Sequence, residues 1–234
     1  MDTKLTGKTR IESDLIGARE IPAEALYGVQ TLRGIENFSI SKFRLSEYPL
    51  FIKGLAITKM AAAMANFELG LLTVEQKDAI IAACGEIIDG KHHDQFPVDM
   101  IQGGAGTTTN MNANEVIANR ALELMGHERG EYQYCSPNDH VNCSQSTNDA
   151  YPTAIHIGMY FKHLQLLPHL EELIASFRKK GEEFSQIIKM GRTQMQDAVP
   201  IRLGQEFKAY SVAIMRDIHR MDKAMDEMRT LNMG

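Results

Sequence analysis

Phe207, Ser211, Ile214, Ile218, Met221, Met225 and Met228 recur at alternating intervals of four and three, with charged residues between them. Such a repeat keeps one stripe of a helix apolar over three heptads, and that stripe has to be covered by other helices. The end of the chain is therefore expected to belong to a long helical bundle. Methionine is a pliable filler of irregular apolar space, so the methionines here read as core packing rather than as a thioether or metal site. The stripe runs out as the 234 residues do, at Leu231–Gly234, before any helix long enough to cover it. Half a bundle is an unnatural stopping place, and a longer parent chain is expected.

The rest of the composition points the same way. Seven prolines, 7% aromatics, 14 methionines and no tryptophan leave few breakers among many Ala, Leu, Met, Glu and Lys, which favours helix over sheet. With 44% apolar residues, the chain is long enough to bury a substantial core. The expected fold is mainly α: a small N-terminal domain over residues 1–145, then the first long helices of a central helical bundle over 146–234, incomplete. A net charge of −5 with scattered Lys and Arg argues against a nucleic-acid partner. The densest basic run, Arg178-Lys179-Lys180, reads as a solvated helix face. Cys84, Cys135 and Cys143 are odd in number and lack a C-x-x-C spacing, which fits a reducing cytoplasm. Met1–Lys8 has no apolar core of a secretory signal, and no apolar run approaches the ~18 residues that span a bilayer.

Along the chain, residues 1–45 read as irregular, with Ile35–Ile40 a strand or an arm. Pro49–Leu69 is helical, with Gly70 behind it. Thr73 and Gln76 make a capping box for a helix running to about Asp89, where Gly90 stops it. A further helix ends near Met125, before Gly126. Pro152 suits the first turn of the next, which is expected to reach Ile188 with a kink at Pro168 and to break at Gly191.

Three loops rich in Gly, Ser, Thr and Asn adjoin helix ends. Gly103–Asn112 combines glycines, which admit a ligand to the backbone, with the donors of Thr107-Thr108-Thr109-Asn110 at a helix start, where unpaired N–H groups favour anions. Taken alone it reads as a capped turn as well as an anion cradle, and it lacks the lysine of a phosphate-binding loop. Ser136–Asp149 holds Ser146-Thr147-Asn148 ahead of the helix that Pro152 opens, with Asn148 or Asp149 as the cap. Gly191–Pro200, with Thr193 and Gln194, reads as a polar turn between long helices. His92 and His93 read as surface residues. His156, His163 and His169 lack the spacing of a zinc protease, and only His140 lies within one of the loops. No nucleophile elbow, paired-carboxylate signature or metal constellation is visible, and no cofactor is expected.

Together the three loops resemble the conserved regions of the aspartase/fumarase superfamily. Gly103-Gly-Ala-Gly-Thr-Thr-Thr-Asn110 with its continuation to Arg120 is similar to the first region, and Asn138–Asp149 to the second. Gly191–Pro200 followed by Leu203-Gly-Gln-Glu-Phe207 is similar to the segment beyond it. Arg10–Pro22 and Tyr27–Thr31 match as well, so the resemblance runs through the whole chain in the family's order. Gly104-Ala-Gly-Thr107, Ser146-Thr147-Asn148 and Glu123–Tyr132 look like the aspartase branch rather than class II fumarases. Ser136 departs from the histidine that fumarases often carry in a region linked to a second anion site.

The resemblance implies an ammonia-lyase. A base removes a proton from Cβ of L-aspartate, an enediolate-like dianion forms on the β-carboxylate, and ammonia leaves Cα to give fumarate. Neutral donors suit a substrate whose charge moves during turnover, since stabilisation must grow in the transition state. By resemblance, Thr107, Ser146 and Thr147 hold the β-carboxylate, Asn148, Thr193 and Gln194 face the amino group and α-carboxylate, and Asn110 belongs to the same substrate-binding set. The family's base is a serine in a mobile Gly-Ser-Ser-x-Met-Pro-x-Lys-x-Asn loop, and no Ser-Ser pair occurs in this chain. No catalytic residue is therefore assigned here, and the chain by itself is expected to be inactive. The resemblance also implies a homotetramer that builds each site from three subunits. Class II fumarate hydratase and a non-catalytic helical assembly fragment are the alternatives.

Overall fold

Thr73 accepts the N–H of Gln76 while the Gln76 side chain accepts the N–H of Thr73, and this reciprocal cap opens a helix as the sequence requires. It is one of three helices that make the core of the chain's first compact unit in a computed structural model describing residues 7–102 and 104–233. The absent secretory signal over Met1–Lys8 falls almost wholly outside the described residues, as do Gly103 and Gly234. The first unit comprises residues up to 159 together with 231–233, and the second comprises 160–230. The fold is mainly α, as expected. The division expected after residue 145 precedes a helix whose first turns belong to the first unit.

In the first unit, β1 (Thr9–Asp14) and β2 (Gly17–Pro22) form an antiparallel hairpin, followed by α1 (Val29–Asn37), α2 (Pro49–Glu68), α3 (Val74–Ile88) and α4 (Thr107–Leu124). Ile52, Leu55, Ala56 and Ala63 of α2 pack with Ile80, Ala83, Cys84 and Ile87 of α3 and with Val116, Ile117, Ala121 and Leu122 of α4. The backbones come close where side chains are small. A Cβ on Gly54 of α2 would overlap the carbonyl oxygen of Ala154. Against the expectation of no long apolar run, α2 is long and apolar enough to cross a membrane by length and composition. Its buried face lies against α3 and α4 and carries Lys59 and Asn66.

Residues 109–119 of α4 are buried without interruption, polar ones included. Glu115 accepts the backbone N–H groups of Gly28, Gln30 and Thr31 at 2.8–3.0 Å, and Glu12 accepts that of Val29. These carboxylates satisfy the orphan donors at the start of α1 and complement its dipole. The expected strand or arm over Ile35–Ile40 is thus corrected: Ile35–Asn37 end a helix whose cap comes from carboxylates remote in sequence.

Asp99 organises the segment between α1 and α2. It accepts the N–H groups of Ile40, Ser41 and Ile101 and the Ser41 hydroxyl, and pairs with Arg44 at 3.2 Å. The Ser41 hydroxyl and these N–H groups hold its carboxyl down at about 2.

The long helix α5 (Thr147–Glu183) starts five residues before Pro152, which corrects the expected start. Proline removes one N–H, and the Asn148 carbonyl that this N–H would have met accepts Asn232 Nδ2 at 3.2 Å instead. The cap is Ser146, not Asn148 or Asp149: its hydroxyl accepts the N–H of Asn148, and Asp149 Oδ2 accepts the N–H of Ser146. α5 continues helical through Pro168, where the side chain faces solvent.

In the second unit, α5 does not reach Ile188. It ends at Glu183, and Ile188–Thr193 (β3) pairs antiparallel with Gln196–Arg202 (β4) before α6 (Leu203–Glu227). The expected helix to Ile188 and the polar turn over Gly191–Pro200 are both replaced by this hairpin, with a register irregularity between Met190 and Arg192. The 4-3 stripe of α6 is its least exposed face. Opposite it, His163, Leu167, Leu170, Ile174, Phe177 and Gly181 of α5, with Phe184 just beyond its end, follow the same spacing. Phe207 meets Phe184 edge-to-face at 5.1 Å and Phe177 at a tilt at 6.0 Å, and His163 meets Asp222 at 3.1 Å.

Two outcomes follow from the packing of the first unit. Helix propensity alone makes Gly54→Ala stabilising by about 1 kcal/mol. The Ala154 carbonyl reverses the sign, so urea denaturation should show a net loss of roughly 1–3 kcal/mol. For Asp99→Asn, a folded-state carboxyl depressed from 3.8 to about 2 contributes stability above its unfolded value and loses it as pH falls. The gap in melting temperature between wild type and variant should be fully open above pH 4 and close toward pH 2 in a thermal-melt series.

Candidate functional site

Gly104 and Gly106 both lie in the left-handed region, at φ +75° and +86°, and a Cβ on Gly106 would run into the Tyr151 ring. Gln102 closes the loop by donating to Thr109 Oγ1 at 2.7 Å and accepting the Thr109 N–H at 2.9 Å. The outcome is an exposed Thr107 at the first residue of α4, on the wall of an open cavity of ≈ 1040 Å³ shared with Arg33, Thr108, Met111, Ser136 and Asn138.

The second loop begins with a π-turn over Pro137–Val141. Ser136 Oγ accepts the N–H of Asp139 and donates to Asp139 Oδ2, while the N–H of Ser136 donates to His140 Nδ1 at 2.7 Å. Burial pushes His140 below its ordinary value. Ser136 and His140 are both committed to the turn, and the carboxylate beside Ser136 repels anions.

Further on, the segment is held from beneath. Lys59 Nζ donates to Asn142 Oδ1 at 2.7 Å and to Gln145 Oε1 at 3.1 Å, and Asn66 Nδ2 donates to the Cys143 carbonyl at 2.8 Å. Asn110 on the buried face of α4 donates through Nδ2 to Asn142 Oδ1 at 3.1 Å and to Thr147 Oγ1 at 3.2 Å. Its own Oδ1 is buried and has no partner among the described residues. Such an unmet acceptor is costly unless something donates to it.

Of the expected residues, Asn110 and Thr147 are thus joined by a hydrogen bond. Ser146 and Asn148 flank Thr147 at the exposed head of α5, and Thr107 heads α4 in the same unit. Thr193 and Gln194 belong to the second unit, at the tip of the β3–β4 hairpin. Gln194 and Met195 form its two-residue turn with φ of +50° and +62°, and both are exposed. A two-residue hairpin turn asks for two left-handed residues and is ordinarily built from Asn, Asp or Gly. Neither residue here is of that kind, so the turn carries strain.

Sequence reasoning missed Lys59, Asn142 and Gln145. A signal was present: Ile52, Ala56, Lys59, Ala63 and Asn66 share one stripe of α2, so a lysine and an asparagine stand where the helix is otherwise apolar.

Two helix starts rich in hydroxyl and amide donors, one of them backed by an amide network, form an arrangement of neutral donors suited chemically to anionic groups. A model described as lyase matches residues 17–234, and the chain belongs to that family, within the aspartase/fumarase superfamily. It is 57% identical over 225 residues to an aspartate ammonia-lyase of Helicobacter pylori (strain J99 / ATCC 700824), covering 96% of this chain and 48% of the relative. It is 52% identical over 231 residues to the aspartate ammonia-lyase of Escherichia coli (strain K12), covering 98% and 48%. Among solved structures, a fumarate lyase:delta crystallin from Brucella melitensis aligns with a TM-score of 0.94 at 52% identity over 97% of this chain and 49% of that one. A class II fumarase from Schistosoma mansoni aligns at 0.90 and 37%, over 97% and 48%. The chain spans about half the length of the curated relatives it matches.

The strained turn gives a direct outcome. Met195→Gly places a residue free of the Cβ penalty in the left-handed region and should raise stability by about 1 kcal/mol in chemical denaturation. Met195→Val should lower it.

Proposed function

We propose that the protein containing this chain is an aspartate ammonia-lyase, converting L-aspartate reversibly to fumarate and ammonia. The observation that carries the reading is the Asn110–Thr147 hydrogen bond, which holds a neutral donor at the head of α5 in a chain 52–57% identical to aspartate ammonia-lyases.

The chemistry fits the residues. Loss of the Cβ proton puts a second negative charge on the β-carboxylate, and Thr107, Ser146 and Thr147 supply hydroxyls toward it. Asn148, Thr193 and Gln194 take the α-carboxylate and amino group. None of these groups changes protonation as charge moves, so their stabilisation grows with the charge and needs no reorganisation. The proton-abstracting base lies outside these 234 residues, in the serine loop that the family resemblance implies. The chain alone should show no turnover.

Assembly into a homotetramer is part of the proposal. It is supported by apolar side chains standing exposed on the second unit, among them Leu164, Leu173, Ile188 and Val199. The free cysteines Cys84, Cys135 and Cys143 support a reducing compartment, the cytoplasm.

The test is a steady-state assay of fumarate formation by the purified protein containing this chain, with L-aspartate and with L-malate. Turnover of aspartate alone is expected, and equal or exclusive turnover of malate would replace the reading with fumarate hydratase. Thr147→Val, which keeps shape and removes the hydroxyl, should lower kcat by about 100-fold.

A further inference from the structure

Lys59 is the one lysine or arginine fully buried among the described residues, and no carboxylate pairs with it there. Its two acceptors are the neutral oxygens Asn142 Oδ1 and Gln145 Oε1. Burial pushes it down to about 7, and in either protonation state the nitrogen carries the two hydrogens these contacts need. Burying a lysine among apolar side chains is costly, and a methionine would fill much the same space without that cost.

What the lysine supplies is direction. An amide can be turned end for end at little steric cost, so its donor and acceptor ends are set by its neighbours. As an ammonium, which can only donate, Lys59 forces Asn142 and Gln145 to present their oxygens. Asn142 Oδ1, so placed, also receives Asn110 Nδ2 at 3.1 Å. That fixes the amino end of Asn110, and the same nitrogen donates to Thr147 Oγ1 at 3.2 Å. Thr147 is an acceptor in this bond, so its own proton is free for another partner. Reversing Asn142 would set donor against donor at both Lys59 and Asn110. The second branch holds the loop itself: Gln145 Nε2 donates to the carbonyls of Val141 and Cys143, and Asn142 Nδ2 to that of Gln145, around a left-handed Ser144 at φ +57°.

We propose that Lys59 is a positioning residue which sets the hydrogen-bond sense of the chain Asn142–Asn110–Thr147, so that Thr147 offers a proton rather than a lone pair to a substrate carboxylate at the head of α5. The substrate half rests on the reading of function above; the proton on Thr147 does not. With the sense reversed, an oxygen lone pair would face the carboxylate where negative charge grows, and catalysis would suffer more than binding.

The protein containing this chain is assayed with L-aspartate as wild type, Lys59→Met, Lys59→Arg and Asn142→Leu. Lys59→Met should lower kcat by about 100-fold with KM altered less than about threefold, and Lys59→Arg, which still donates, should recover part of the loss. A folded Lys59→Met protein with wild-type kcat overturns the proposal. If Lys59→Met does not fold, Asn142→Leu cuts the same chain one link further on and carries the same expectation and the same overturning result. If the wild type does not turn over aspartate, the proposed function fails, and a neutron structure of the wild type decides the rest. A deuteron on Thr147 Oγ directed away from Asn110 supports the inference, and one directed at Asn110 overturns it.

Discussion

The polar side chains buried along α4 hold the first unit's irregular segments in place. Glu115 gathers three backbone N–H groups at the start of α1, Asn112 reaches the carbonyl of Gln95, and Asn119 bridges the Leu26 carbonyl and the Gly130 N–H. Asn110 binds the head of α5. Each of these partners lies in a loop or at a helix end, where the backbone has no ladder of its own. A buried backbone group without a partner costs about as much as the hydrogen bonds around it contribute, so one polar helix at the centre decides which loop conformations are tolerable. An apolar α4 would pack as well against α2 and α3 and would leave those loops without specification.

The same device accounts for the character of the site. A pocket for a dicarboxylate could be lined with arginines, but a fixed cation stabilises the ground state strongly and gains less as charge shifts between carboxylates. Hydroxyls and amides at helix starts discriminate better, provided their orientation is decided in advance. Orientation is the difficulty, because hydroxyl rotors and amide ends are each free to turn. In the first unit the buried donor Lys59 removes that freedom from beneath, while Gly106 lets the other loop pass against the Tyr151 ring. In this network the charge of Lys59 lies beneath the exposed donors and serves geometry.

Legibility in the sequence divides along local and non-local lines. The Thr73–Gln76 cap, the glycine stops at 70, 90 and 126 and the 4-3 stripe of α6 are rules written within a few residues, and the structure follows them. α1 escaped because its cap is a glutamate from α4. α5 starts ahead of the first turn that Pro152 marks in the sequence, because the carbonyl that the proline frees is met from elsewhere, here by Asn232. The β3–β4 hairpin was invisible because its turn lacks Asn, Asp or Gly at the left-handed positions. The motif runs single out Thr107, Asn110 and Thr147, and the structure joins the last two by a hydrogen bond. Their support did not show, since Lys59 acts through a fold contact and leaves only a misplaced charge on an apolar stripe as its trace.

The hairpin tip and the amide network are two answers to one requirement. Gln194 stands exposed with nothing packed beneath it in its own unit, so its presentation has to come from the backbone, and two consecutive left-handed residues cost on the order of 1 kcal/mol each. A turn built from Asn-Gly would be easier to form and would also be easier to deform. Bulky residues confined to a narrow left-handed well have few alternatives once the flanking strands are paired, so the strain narrows the range of directions in which Gln194 can point. The first unit obtains the same narrowing by burying a lysine. In both places the chain gives up stability beside an uncharged polar group and gains a fixed direction for it.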